Sequence, residues 1–244
     1  MGADRNHDWG AIAASALDWW REAGVDVLID EAPVDWLAAP IALPSVTRAP
    51  AAAPAPAAMP GDLAAFLAWR LGPDAPEAGW PGRRLGAEGA TTATIVVTDL
   101  PDREDLVAGR LMSGTAGVLL GRMLAAIGLD RDGVQLVPVA TARPPSGRIP
   151  PADEPRLAET IRRHLTLARP DRVLLLGNAA SRAVLGMDCA AARGSGHVVN
   201  YDGGQGTVIA SFHPRFLLER PTAKADAWRD LRLLMKAGPM ETAG

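Results

Sequence analysis

From residue 93 onward, short apolar runs alternate with segments of helical period, and this alternation constrains the chain more than any other feature. Thr94-Ile95-Val96-Val97 is a β-branched run of the kind a strand buried on both faces requires. Residues 114–127 then repeat Leu119, Leu120, Met123, Leu124 and Ile127 at helical spacing. Residues 134–140 and 172–176 read as further strands. Residues 153–167, with Pro155 suited to a first turn, and 179–185 read as helices. Residues 198–201 and 207–211 read as strands flanking a turn at Asp202-Gly203-Gly204-Gln205-Gly206, and 222–236 as a closing helix. The pattern predicts an α/β fold: a three-layer α/β/α sandwich with a mostly parallel central sheet.

Upstream, residues 8–23 place Trp9, Ile12, Ala16, Trp19 and Trp20 at helix-like spacing until Gly24 breaks the pattern. A second short helix is predicted at 33–38. Alternating Ala and Pro beyond it cannot pack a core and favour an extended, semi-rigid linker. The expected organisation is a helical extension over 1–46, a linker over 47–61 and the α/β domain over 62–244. Asp62 is placed to cap a helix whose apolar face would be Leu63, Phe66, Leu67 and Leu71.

Cys189 is the only cysteine, which excludes an internal disulfide and a cluster held by protein thiolates alone. His7, His164 and His197 lack ligand spacing, so no metal site is expected. No apolar run is long enough to span a bilayer, and MGADRNHDWG is not a secretory signal. A soluble, cytoplasmic protein without membrane contact is expected. The net charge of −3 argues against a general nucleic-acid coating protein but leaves room for a local basic groove. Arg143, Arg148, Arg156, Arg162, Arg163, Arg169 and Arg172 share one stretch, whose plainest reading is solvated helix faces.

Ligands of open α/β sheets sit beyond the carboxyl ends of the strands. Four segments should meet there: Thr98-Asp99-Leu100-Pro101, Thr141-Ala142-Arg143-Pro144-Pro145, Gly177-Asn178 and Ser211-Phe212-His213-Pro214. Gly114-Thr115-Ala116-Gly117 opens a helix, so it either holds a phosphate on free N–H groups or simply permits close packing. Gly203-Gly204-Gln205-Gly206 opens no helix and reads as a hairpin turn, not a dinucleotide site.

Several collinear segments stand out: Gly109 followed by Gly114 to Leu120, Met123 to Arg131, the loop Arg143-Pro144-Pro145-Ser146-Gly147-Arg148, Ala210 to Leu218 around His213-Pro214, and Trp228-Arg229-Asp230-Leu231. Together they resemble the uracil-DNA glycosylase superfamily, most of all its family 4-type bacterial branch. Trp19 to Asp26 is similar to extensions found in that branch. The resemblance implies an enzyme that flips a base out of DNA and cleaves its N-glycosidic bond. It assigns His213 as the donor to the departing base and Asp99 as the group that orients water or contacts the base. Pro101, Met112, Pro138 and Asn178 would form the base pocket. Gly114, Arg143, Pro144, Arg148, Ser211, Pro214 and Arg215 would face DNA. Leu217, with Phe216 second, would wedge into the emptied stack.

The chain also departs from the family pattern. None of the four cysteines that hold the branch's iron–sulfur cluster is present, so no cofactor is expected. Thr98-Asp99-Leu100-Pro101-Asp102 stands where the family has Gly-Glu-Ala-Pro-Gly. Met112 replaces a stacking aromatic, and Pro138 an asparagine that reads the uracil edge. Losing such hydrogen bonds costs base discrimination before DNA affinity. The expectation is a uracil-DNA glycosylase-like protein of base excision repair with a diverged pocket and weak or altered action on uracil. Single- or double-stranded DNA is the expected partner. The alternatives are a catalytically inactive DNA-binding member, or a module that docks on a protein through its N-terminal extension.

Overall fold

Five strands form one sheet in the order β2-β1-β3-β5-β4. They are β1 (Thr94–Thr98), β2 (Gln135–Pro138), β3 (Arg172–Leu176), β4 (Gly196–Tyr201) and β5 (Gly204–Ser211). All neighbours pair parallel except β4 and β5. The structure is a computed structural model and describes residues 9–22, 58–201 and 204–237.

Period-two alternation sends successive strand residues to opposite faces. Ile95, Val97, Val137, Val173 and Leu175 pack with Leu157, Ile161 and Leu165 of α5 (Glu154–Ala168) and with Ala180 and Ala183 of α6 (Gly177–Leu185). Val96, Leu136, Leu174, Leu176 and Ile209 pack on the other face. Their partners are Leu120 and Leu124 of α4 (Thr115–Ala125) and Leu231 and Leu234 of α9 (Lys224–Lys236). This is the expected three-layer sandwich. Each fully buried Leu or Ile contributes about 1.5–3 kcal/mol, so the two faces together hold the sheet between its helices.

The chain divides into two units, Met1–Ala53 and Pro54–Gly244. In the first, α1 (Trp9–Glu22) exposes Trp9, Leu17, Trp19 and Trp20, and Asp18 pairs with Arg21 at 3.1 Å. The helix expected at 33–38 lies outside the described residues, as does most of the expected linker. In the second unit α2 (Leu63–Leu71) starts where Asp62 accepts the Ala65 N–H at 2.9 Å. Its buried side differs from the expected one. Phe66 and Arg70 are buried, whereas Leu71 is exposed.

Arg70 is tolerated inside because it is paired. Its Nη2 meets Glu77 Oε1 at 3.1 Å and donates to the carbonyls of Pro138 and Val139. Glu77 Oε1 also accepts the Thr141 N–H and hydroxyl, each at 2.8 Å. Burial alone would raise the Glu77 pKa, but Arg70 and the Thr141 hydrogen bonds hold it below its ordinary value. The pair fixes the chain just beyond β2, where the site lies.

Three short helices were not legible in the apolar pattern: α3 (Arg103–Ala108), α7 (Cys189–Ala192) and α8 (Pro214–Glu219). A 3₁₀ turn, Pro221–Ala223, precedes α9. Tyr201 pairs with Gly204, so Gly204-Gln205-Gly206 belong to β5 rather than to a turn. Gly206 is a close approach: a Cβ there would collide with the Pro170 carbonyl and the Tyr201 hydroxyl.

Candidate functional site

β5 ends at Ser211, and His213 is the N-cap of α8, with Pro214 at its first position. The Arg215 N–H donates to His213 Nδ1 at 3.2 Å. Nδ1 therefore carries no proton, and in the neutral ring the proton sits on Nε2. Nε2 lies 3.1 Å from Thr98 Oγ1 and 3.4 Å from Asp99 Oδ1, both at the end of β1. Gly177, with φ of +87°, follows β3, and a Cβ there would lie 3.2 Å from His213 Cβ. A glycine at that left-handed position lets the imidazole sink between the strand ends, where it is 8% exposed.

Asp99 is partly buried, which by itself opposes ionisation. The His213 contact, the Arg215 charge and the Leu100 N–H at 2.8 Å outweigh burial and hold its carboxyl below the ordinary range. The site thus presents a carboxylate and an imidazole N–H side by side.

Beside them runs a cleft of about 270 Å³ lined by α3, the start of α4, Met112, Arg143, Arg215 and Leu218. Asp102 accepts from Arg215 Nη2 at 2.6 Å and from Arg143 Nη1 at 3.4 Å. Arg143 also donates to the Pro101 carbonyl at 3.1 Å. In the wall of the cleft, largely buried Asp105 accepts the Asp102 N–H at 3.0 Å and the N–H and hydroxyl of Ser113 at 2.7 and 2.8 Å. Met112 holds φ at +50°, a conformation that side chains seldom adopt. Gly117 accommodates it, since a Cβ there would overlap the Met112 carbonyl.

The four expected segments meet at this end of the sheet, but their residues are used unevenly. His213, Asp99, Pro101, Arg143 and Arg215 cluster. Pro138 pairs in register with Thr98, and its carbonyl takes Arg70. The Asn178 amide oxygen accepts the Cys189 N–H at 2.9 Å and so caps α7. Ser211 is buried and donates to Asp230 at 2.9 Å. Pro144 and Pro214 are buried, while Arg148 is exposed. Gly114 caps α4 with the Glu104 carboxylate lying against it.

Leu217 is 1% exposed and packs in the core, whereas its neighbour Leu218 is 40% exposed and lines the cleft. The helical phase of α8, set by Pro214, turns Leu217 inward. Sequence reading missed Thr98 as a His213 partner, and Glu104 and Asp105 altogether. The Asp102-x-x-Asp105 spacing, a capping pattern, was the available signal.

Residues 86–232 match the family profile described as the Uracil DNA glycosylase superfamily. The chain belongs to the uracil-DNA glycosylase superfamily. It is 30% identical over 145 residues to the type-4 uracil-DNA glycosylase of Archaeoglobus fulgidus, covering 57% of this chain and 73% of that one. Against the type-4 enzyme of Thermotoga maritima it is 30% identical over 136 residues, 55% of this chain and 70% of that one. The type-4 enzyme of Pyrobaculum aerophilum is 27% identical over 155 residues, 59% and 77% of the two chains. The matched span of this superfamily member runs from before β1 into α9 and contains His213, Asp99 and the cleft.

The four-cysteine iron–sulfur cluster of the family 4-type branch does not fit the residues of this superfamily member. The single thiol, Cys189, is buried and donates to the Ser211 carbonyl at 3.2 Å, and burial pushes its pKa up. Among the described residues no group of His, Cys, Asp and Glu side chains has metal-binding geometry, and no helix is long and apolar enough to cross a membrane.

Proposed function

We propose that this superfamily member acts in DNA base excision with a diverged base pocket, and that its action on uracil is weak or altered. The observation that carries the reading is the Nε2–H of His213 beside the Asp99 carboxylate at the carboxyl ends of β1 and β5. Cleavage of an N-glycosidic bond leaves the bonding pair on the base, and water adds to the sugar carbon as its proton leaves to solvent. A fixed N–H aimed at the base oxygen stabilises the developing negative charge. The adjacent carboxylate orients the water or steadies positive charge on the sugar. Arg143, Arg148 and Arg215 face the phosphates, and Leu218 stands at the rim where a wedge is required.

A catalytically inactive DNA-binding role is the second reading. Two residues of the expected base pocket favour it: the Asn178 amide oxygen caps α7, and Pro138 has no side-chain donor or acceptor. A protein contact through the N-terminal helix is compatible with either role, as is a cytoplasmic address.

The test is an excision assay with oligonucleotides carrying a panel of deaminated and damaged bases, run beside His213→Ala. Activity on some base other than uracil, lost in the variant, supports the enzyme reading. Uracil release at the rate of a repair enzyme would refute the diverged pocket. Intact DNA binding with no release from any substrate leaves the second reading.

A further inference from the structure

A surface that grips nucleic acid needs a surplus of cations, because binding gains free energy by neutralising phosphates. The cleft beside His213 has none. Its lining sets three carboxylates, Asp102, Glu104 and Asp105, against three guanidiniums, Arg103, Arg143 and Arg215. The carboxylates also stand on the groups a phosphate would use. Asp102 bridges Arg143 and Arg215, and Glu104 lies against Gly114 at the positive end of α4.

We propose that Asp102 and Glu104 are built-in phosphate surrogates, an autoinhibitory contact that DNA must displace to occupy the cleft. The proposal rests on the reading of this cleft as the DNA-facing site.

Asp102 is the N-cap of α3: its backbone N–H is taken by Asp105, and its side chain completes the capping box while also reaching two arginines. The Arg215 guanidinium is incompletely satisfied: Nη2 meets Asp102, but buried Nε has no partner. Nη2 also lies 4.0 Å from Asp99 Oδ1, so a phosphate oxygen that takes the place of Asp102 meets a guanidinium already held in position, and Asp102 is released to water. The cost is separation of existing ion pairs, so affinity is set by the acidic start of α3 as well as by the arginines.

The test uses the full chain and uracil-free fluorescent oligonucleotides, single-stranded and duplex, titrated by anisotropy over a range of salt. Asp102→Asn keeps N-cap chemistry. It should bind about tenfold tighter at low salt, with a log–log salt slope steeper by roughly one unit or more as two arginines are released to phosphates. Glu104→Gln should give a smaller gain, and adding Arg215→Ala to Asp102→Asn should reverse it. Asp102→Ser and Glu104→Gln carry the test if Asp102→Asn lowers thermal stability. Equal or weaker binding with an unchanged slope overturns the surrogate role while leaving the DNA-facing reading intact. No binding by any variant at low salt overturns both.

Discussion

His213 Nε2 lies 3.4 Å from Asp99 Oδ1, and the Arg215 N–H on the other ring nitrogen fixes which end of the imidazole carries the proton. In the proposed base excision, the Nε2–H is the donor to the departing base and the carboxylate beside it orients the water. Asp99→Asn keeps an acceptor for Nε2–H and removes the charge. Excision of whichever base is accepted should fall by about 100-fold or more in kcat, the scale of losing a positioned acid–base group. Equal kcat in the variant, measured in single-turnover assays, would remove Asp99 from the chemistry.

Gly117 and Gly114 separate backbone from side-chain crowding. A Cβ at Gly117 meets the Met112 backbone carbonyl, which cannot move without shifting the start of α4. A Cβ at Gly114 meets only the Glu104 side chain, which can rotate away. Gly117→Ala should cost about 1–3 kcal/mol in urea unfolding, and Gly114→Ala distinctly less. Equal costs would contradict the packing at Met112.

The Arg70–Glu77 pair should show the asymmetry of buried ions. Glu77→Ala strands a buried guanidinium and should cost about 3–5 kcal/mol. The double change Arg70→Met with Glu77→Leu should cost much less, because it leaves no unpaired charge. Urea unfolding of both variants checks this, and a double variant as unstable as Glu77→Ala would refute it. Because the folded Glu77 pKa is depressed, its contribution is present above the unfolded carboxylate pKa and is lost as pH falls through the folded value.

His164 gives a pH dependence at a milder pH. Burial, with the Arg70 charge adding to it, pushes its pKa down to about 3, and its Nε2 lies 3.1 Å from Gln135 Oε1. The denatured chain takes up the proton first, so stability is fully present above pH ~6.5 and falls as pH drops toward 3. The slope should approach roughly 1.4 kcal/mol per pH unit below 6.5. Melting curves between pH 7 and 5 should flatten in His164→Gln. An unchanged slope in that variant would assign the titration elsewhere.

Iron content tests the cofactor expectation separately. With one buried thiol in the chain, the purified protein should be colourless and carry no stoichiometric iron by elemental analysis. A brown protein with bound iron would overturn it.

Much of this molecule is decided locally and is therefore legible in its sequence. β-branched runs at β1 and β3, the helical stripes of α4 and α5, and strand–helix alternation specify a sandwich because periodicity alone sets which residues can be buried. The spacing of Thr98-Asp99 and of His213-Pro214 after strands likewise placed both segments at one end of the sheet. What the sequence left open depends on partners distant along the chain. Arg70 is buried because Glu77 and the Pro138 carbonyl surround it, and the Asn178 amide oxygen meets the start of α7 eleven residues along the chain. Leu217 rather than Leu218 points inward because Pro214 sets the phase of a helix too short to show a period. Asp102 reads as a lost glycine, and only the tertiary structure sets its carboxylate between two arginines, since long-range electrostatics has no sequence periodicity to announce it.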